Sequence, residues 1–148
     1  MPNPEAPKRL EFKLKHPLRP YISRNKLNMF SSQVKQYHAS QSALRSLLKE
    51  QNLEPFSKKH RIQLSVVIVR APEERPHATS KSGTALYRPA RRSDLSNFVK
   101  AVEDAIQPRR QDEWHLIPND AQIWRYGHCE KREGTSDLVH VVMEEIRG

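Results

Sequence analysis

The sequence predicts an α+β fold: one domain in which a mixed β-sheet carries packed helices. Three observations point there. The run "HRIQLSVVIVR" alternates Ile62, Leu64, Val66 and Ile68 and is rich in β-branched residues, as a central strand requires. Two segments repeat apolar residues at helical spacing, and the closing "DLVHVVMEEI" sets Val139, Val141 and Met143 on one side of an extended chain. Read in order, the elements are strand, helix, strand, helix, strand, strand, which suits a mixed sheet better than a bundle or sandwich. A chain of 148 residues is long enough for one such domain with a real core.

The opening "MPNPEAPKR", residues 1–9, is rich in proline and charge and reads as a loose leader to a domain spanning 10–148. In "LEFKLKH", Leu10, Phe12 and Leu14 alternate with Glu11, Lys13 and Lys15, the period of a strand with one face buried. Pro17 and Pro20 then break regular structure in a segment that carries Arg19, Arg24 and Lys26, a basic arm suited to phosphate. Ser31 or Ser32 can cap the first helix, whose apolar face holds Val34, Tyr37, Leu44, Leu47 and Leu48. From Ala71 to Ser93 no periodicity survives. Pro72, Pro76, Gly83 and Pro89 punctuate a loop carrying Arg75, Lys81 and Arg88, long enough to suggest a functional role.

The second helix follows Ser93 or Asp94 as its cap. Leu95, Val99, Val102 and Ile106 face the core, and Asn97, Lys100 and Asp104 lie on the opposite side. After Pro108 and "RRQDE", a turn around Pro118 and Asn119 leads to a strand through Ile123, Trp124 and Tyr126, and Gly134 marks the last turn.

Lysine and arginine outnumber aspartate and glutamate by 26 to 17, a formal charge of +9 that points to a polyanionic partner, nucleic acid first among them. A single cysteine, Cys129, excludes an intramolecular disulfide, and no second cysteine accompanies His128 at zinc spacing. With no apolar leader or run of membrane-spanning length, the sequence predicts a cytoplasmic protein, and a DNA partner would make it nucleoid-associated. Hydrolysis of a phosphodiester needs charge stabilisation and an activated water, which carboxylates holding Mg²⁺ supply. Asp94 and Asp120 are the candidate carboxylates, and Lys100 is placed to stabilise negative charge that develops on the phosphate. Each also has a plainer role: Asp94 as a helix cap, Lys100 as a solvated side chain, Asp120 as part of a turn.

Taken together, "RPARRSDLSNFVKAVEDAI", a following tryptophan and "NDAQI" resemble the RusA family of Holliday-junction resolvases. That family's pattern is an Asp-x-Asp-Asn-x-x-Lys run followed by a Trp and an Asp-Asp-x-Gln-Ile segment. Asp94, Asn97, Lys100, Asp104, Asp120, Gln122 and Ile123 fall on matching positions. The resemblance implies a homodimeric, Mg²⁺-dependent endonuclease, with Mn²⁺ as a substitute, that binds branched DNA and makes paired nicks at four-way junctions. By position, Asp94 and Asp120 become acidic metal-site residues and Lys100 a catalytic one. Lys15, Arg19, Arg24, Lys81, Arg88, Arg91 and Arg92 become DNA contacts. Two positions depart from the pattern: Ser96 and Asn119 stand where the family has acids. A neutral hydroxyl is a weaker ligand for a hard cation. Asp104 lies eight residues from Ser96, about 12 Å along a helix, and is therefore read as a supporting residue. Two other functions remain open, a RusA-like protein that binds junctions without cutting and a basic RNA-binding module.

Overall fold

A computed structural model describes residues 6–21, 32–71, 78–79, 85–86 and 95–147. Strand β1 (Arg9–Leu14) leads to helix α1 (Ser32–Glu50) and strand β2 (Ile62–Arg70). Two short strands follow, β3 (Ala78–Thr79) and β4 (Ala85–Leu86), then helix α2 (Leu95–Ile106), a 3-10 turn at Asp120–Gln122, and strands β5 (Ile123–Glu133) and β6 (Leu138–Glu145). The four long strands form one sheet in the order β1-β6-β2-β5. The β2–β5 pair is parallel and the other two pairs antiparallel. The expected α+β, mixed-sheet architecture is the one observed.

Register explains why the alternating residues form one core. Leu10, Phe12 and Leu14 pair with Met143, Val141 and Val139, and the same three β6 residues pair with Leu64, Val66 and Ile68 on the other side. All nine are buried, so one face of three strands is a continuous apolar layer. Because the period of a strand is two, a slip of one residue would turn this whole set to the opposite face. Helices α1 and α2 pack against this layer through Tyr37, Leu44 and Leu48 and through Phe98, Val102, Ala105 and Ile106. Lys13 and Lys15 are exposed, as the alternation requires.

Three local features differ from the sequence reading. The β3–β4 hairpin lies inside the segment that shows no periodicity, because its two residue pairs, Ala78↔Leu86 and Thr79↔Ala85, are too short to leave one. Asp104 is not on an exposed face: it is half-buried and accepts a hydrogen bond from Tyr37 Oη at 2.8 Å. Asn97 is likewise partly covered, its carbonyl accepting from the Tyr21 amide. Two residues past the end of α1 at Glu50, Asn52 has a φ of 52°, in the left-handed region that closes helices.

Arg45, only 3% exposed, organises the chain between α2 and β5. Its guanidinium donates to the carbonyls of Ala105, Gln107, Asp112 and Trp114, and it pairs with the Asp112 carboxylate at 3.1 Å. A cation thereby caps the last turn of α2, where the helix dipole favours positive charge. Lys49 reaches the same carboxylate at 2.7 Å. The Lys49 hydrogen bond first, then those from the Trp114 amide and Arg45, hold the Asp112 carboxyl down at about 2, against an ordinary 3.8.

A depressed folded pKa contributes stability above the unfolded value that is lost as pH falls through the folded one. Asp112→Asn is therefore expected to cost roughly 1–2 kcal/mol at pH 7, after discounting for solvent screening. The gap to the unsubstituted chain should close as pH drops from 4 towards 2. Urea unfolding midpoints across that window check it.

Candidate active site at the end of helix α2

The turn that carries Asp120 is built by its neighbours. Asn119 caps it, accepting from the Ala121 amide at 2.8 Å, while Gln122 Oε1 accepts from the Asn119 amide at 3.2 Å. The side-chain Nε2 of Gln122 also donates to the carbonyls of Ser57 and His60 and so pins the 57–60 loop to the turn. Asparagine and aspartate cap equally well, so Asn119 is structurally neutral where the family pattern has an acid. Asp120 itself is exposed, and its backbone N–H donates to Gln107 Oε1 at 3.1 Å. That bond ties the turn to the C-terminal end of α2.

Ser96, Lys100, Glu103, Asp104 and Gln107 recur at helical spacing along the side of α2 that leads to this turn. Tyr126 donates to Glu103 Oε1 at 2.5 Å, as Tyr37 does to Asp104. Burial first, then the charge of Asp120, raise the carboxyls of Glu103 and Asp104, with Asp104 adding to the rise of Glu103, against the opposing pull of the tyrosine hydroxyls, Lys100 and, at Asp104, Arg109. The Tyr126 hydroxyl is pushed up to about 12, by burial first and then by Glu103. Both tyrosines thus stay protonated donors that orient carboxylates. Lys100 is exposed, with Nζ 3.9 Å from the centroid of the Tyr21 ring. Beside it lies a cleft of about 950 Å³, lined among others by Tyr21, Tyr37, Lys100, Asp104, Arg109 and Arg110.

Lys100 and Asp120, twenty positions apart, both lie near enough to Glu103 and Asp104 for their charges to act on those carboxyls. Ser96 lies exposed on the same helix, one turn before Lys100. Lys15 and Arg19 are exposed in the segment that runs from β1 to Tyr21 beside Lys100. Asp94, Arg24, Lys81, Arg88, Arg91 and Arg92 lie outside the described residues. Among the described residues no three His, Cys, Asp or Glu side chains form a group suited to a metal ion. Of the two candidate carboxylates, the described residues include Asp120.

The sequence reading missed Glu103, Gln107 and Tyr126, and saw Gln122 only as a motif position. Glu103 follows Lys100 by three residues on a helix, a usable signal. Tyr126 comes from a different element and left none.

Residues 12–144 match the family model described as endodeoxyribonuclease RusA. No curated protein sequence matches the chain significantly. Among the described residues no helix is long and apolar enough to cross a membrane.

Proposed function

Because the chain belongs to the RusA family of endodeoxyribonucleases, we propose that it is a structure-specific nuclease that resolves four-way DNA junctions, acting as a homodimer whose two sites make paired nicks. The observation that supports this reading is that Lys100 and Asp120 both lie close enough to the Glu103 and Asp104 carboxyls for their charges to act on them, with the Gln107 bond holding the Asp120 turn to the end of α2. Lys100 is the cation that stabilises charge developing on the phosphate. Lys15, Arg19 and the arginines preceding α2 position the backbone without reading sequence. Tyr21 steers Lys100 by a cation–π contact, an interaction worth about 0.5–1 kcal/mol at an exposed site.

Mg²⁺, or Mn²⁺ in its place, is the cofactor of this reading, with Asp94 and Asp120 as its acidic ligands. The described residues do not by themselves compose that site, and Ser96 offers a neutral hydroxyl in place of an acid. No step of the reaction is therefore assigned to the ion. Ser96 also favours a second reading, a junction-binding protein that no longer cuts.

The test is a synthetic four-way junction incubated over a Mg²⁺ and Mn²⁺ series with the native chain and with Ser96→Asp. The native chain is expected to release nicked duplexes, and Ser96→Asp to do so at lower metal concentration, since an added anion strengthens the field on a hard cation. Retardation without cutting by the native chain, with cleavage restored by Ser96→Asp, would establish the binding-only reading. A preference for RNA that is indifferent to branching would replace both with the RNA-binding module.

A further inference from the structure

The two large hydrophobic side chains most open to solvent among the described residues are both on β5: Trp124, 66% exposed, and Tyr126, 55% exposed. Tyr126 is accounted for by Glu103. Trp124 is not. It sits where the β2–β5 register passes from Ile62↔Ile123 to Gln63↔Arg125, so it is the extra residue of a β-bulge. Bulges re-aim side chains at sheet edges and beside active sites, and β5 is one of the two edge strands of this sheet.

The surroundings are cationic. Arg61 Cζ lies 4.9 Å from the Trp124 ring centroid, and Lys58 and Lys59 are exposed on the loop that Gln122 pins to the Asp120 turn. Arg125 follows directly, exposed, its Nε donating to Gln63. The exposed indole therefore stacks with Arg61 and is followed by Arg125, and Lys58 and Lys59 precede Arg61 on the loop that Gln122 pins to the Asp120 turn. A second copy of the chain is a poor occupant, because a two-fold contact here would set like charges against each other. A polyanion with flat apolar groups fits both features. Aromatic rings stack on unpaired bases regardless of sequence, and basic grooves follow the phosphates.

We infer that Trp124, with Lys58, Lys59 and Arg61, binds an unpaired nucleotide of a DNA strand beside the Asp120 turn, the base on the indole and the phosphates on the cations. The inference rests on the nuclease reading only for its setting at a junction, where strands exchange and bases can leave the stack. Paired duplex offers no free base face to the indole, so Trp124 discriminates open from closed DNA.

The test measures equilibrium binding in EDTA of a labelled oligothymidylate, a blunt duplex and a four-way junction to the full native chain, Trp124→Ala, Trp124→Phe and Lys58→Ala/Lys59→Ala. Junction cleavage and sedimentation are followed in parallel. Trp124→Ala is expected to weaken oligothymidylate binding by about ten-fold or more and to leave duplex binding unchanged, while Trp124→Phe stays within about three-fold of native. The double lysine variant should weaken all three DNAs and flatten the salt dependence. Equal binding of the oligothymidylate by native chain and Trp124→Ala overturns the inference, as does an equal loss on duplex. So does a change in sedimentation caused by Trp124→Ala, which would make the residue a subunit contact. If the native chain cuts junctions but Trp124→Ala binds oligothymidylate normally, only the inference falls. If the native chain cuts nothing yet Trp124→Ala loses the oligothymidylate, the inference stands and the nuclease reading falls.

Discussion

Asp120→Asn is expected to lower junction cleavage by at least about 100-fold, the loss typical when one preorganised electrostatic group is removed from a reacting centre, while the protein stays folded. The substitution preserves shape and removes only charge. The turn does not depend on that charge, because Asn119 and Gln122 cap it and Asp120 contributes its backbone N–H to Gln107. Its unfolding free energy should stay within about 0.5 kcal/mol of native, as for other exposed positions. Junction affinity should be kept or slightly raised, since one negative charge leaves the neighbourhood of the phosphates. Single-turnover cleavage, gel retardation in EDTA and urea unfolding separate the three quantities. Native-rate cleavage by Asp120→Asn would place the chemistry elsewhere.

Arg45→Ala should destabilise the fold by about 3–5 kcal/mol, the cost of breaking a buried charged network from one side. The guanidinium satisfies four backbone carbonyls from α2 and the following loop, and stacks 5.1 Å from the Trp114 ring centroid. Its removal takes a donor from each of those carbonyls and leaves Asp112 with Lys49 as its ion-pair partner. Against a typical total of about 5–15 kcal/mol, that loss is large. Arg45→Lys should recover only part of it, because an ammonium has three donors and no planar fork. Denaturant unfolding of the three chains at pH 7 checks the order native, Arg45→Lys, Arg45→Ala. Since this loop leads to the Asp120 turn, Arg45→Lys should also slow cleavage in proportion to how far the turn loosens.

These two residues were legible to different degrees. Asp120 stands out because "NDAQI" follows a helix, a break and a tryptophan in a recognisable order. Arg45 does not, because an arginine between Leu44 and Leu47 on an amphipathic helix reads as solvated. Its burial depends on carbonyls contributed some sixty residues later in the chain. Asp104 misled for the same reason: helical spacing put it opposite the apolar face, but α1 brings Tyr37 over it.

What the sequence determined by itself is whatever short-range periodicity records. The alternation of β1, β2 and β6 and the 3.6-residue repeats of α1 and α2 assign each element and its buried face. The ordered motif of Asp94, Asn97, Lys100 and "NDAQI" assigns the family. What only the tertiary structure decided is strand order and polar pairing. The last strand inserts between the first two, Gln107 meets Asp120, Tyr126 meets Glu103, and Gln122 ties a lysine loop to the turn. Apolar burial leaves a period in the chain because every turn or pair of residues must repeat it. A hydrogen bond between distant side chains is made once and leaves none.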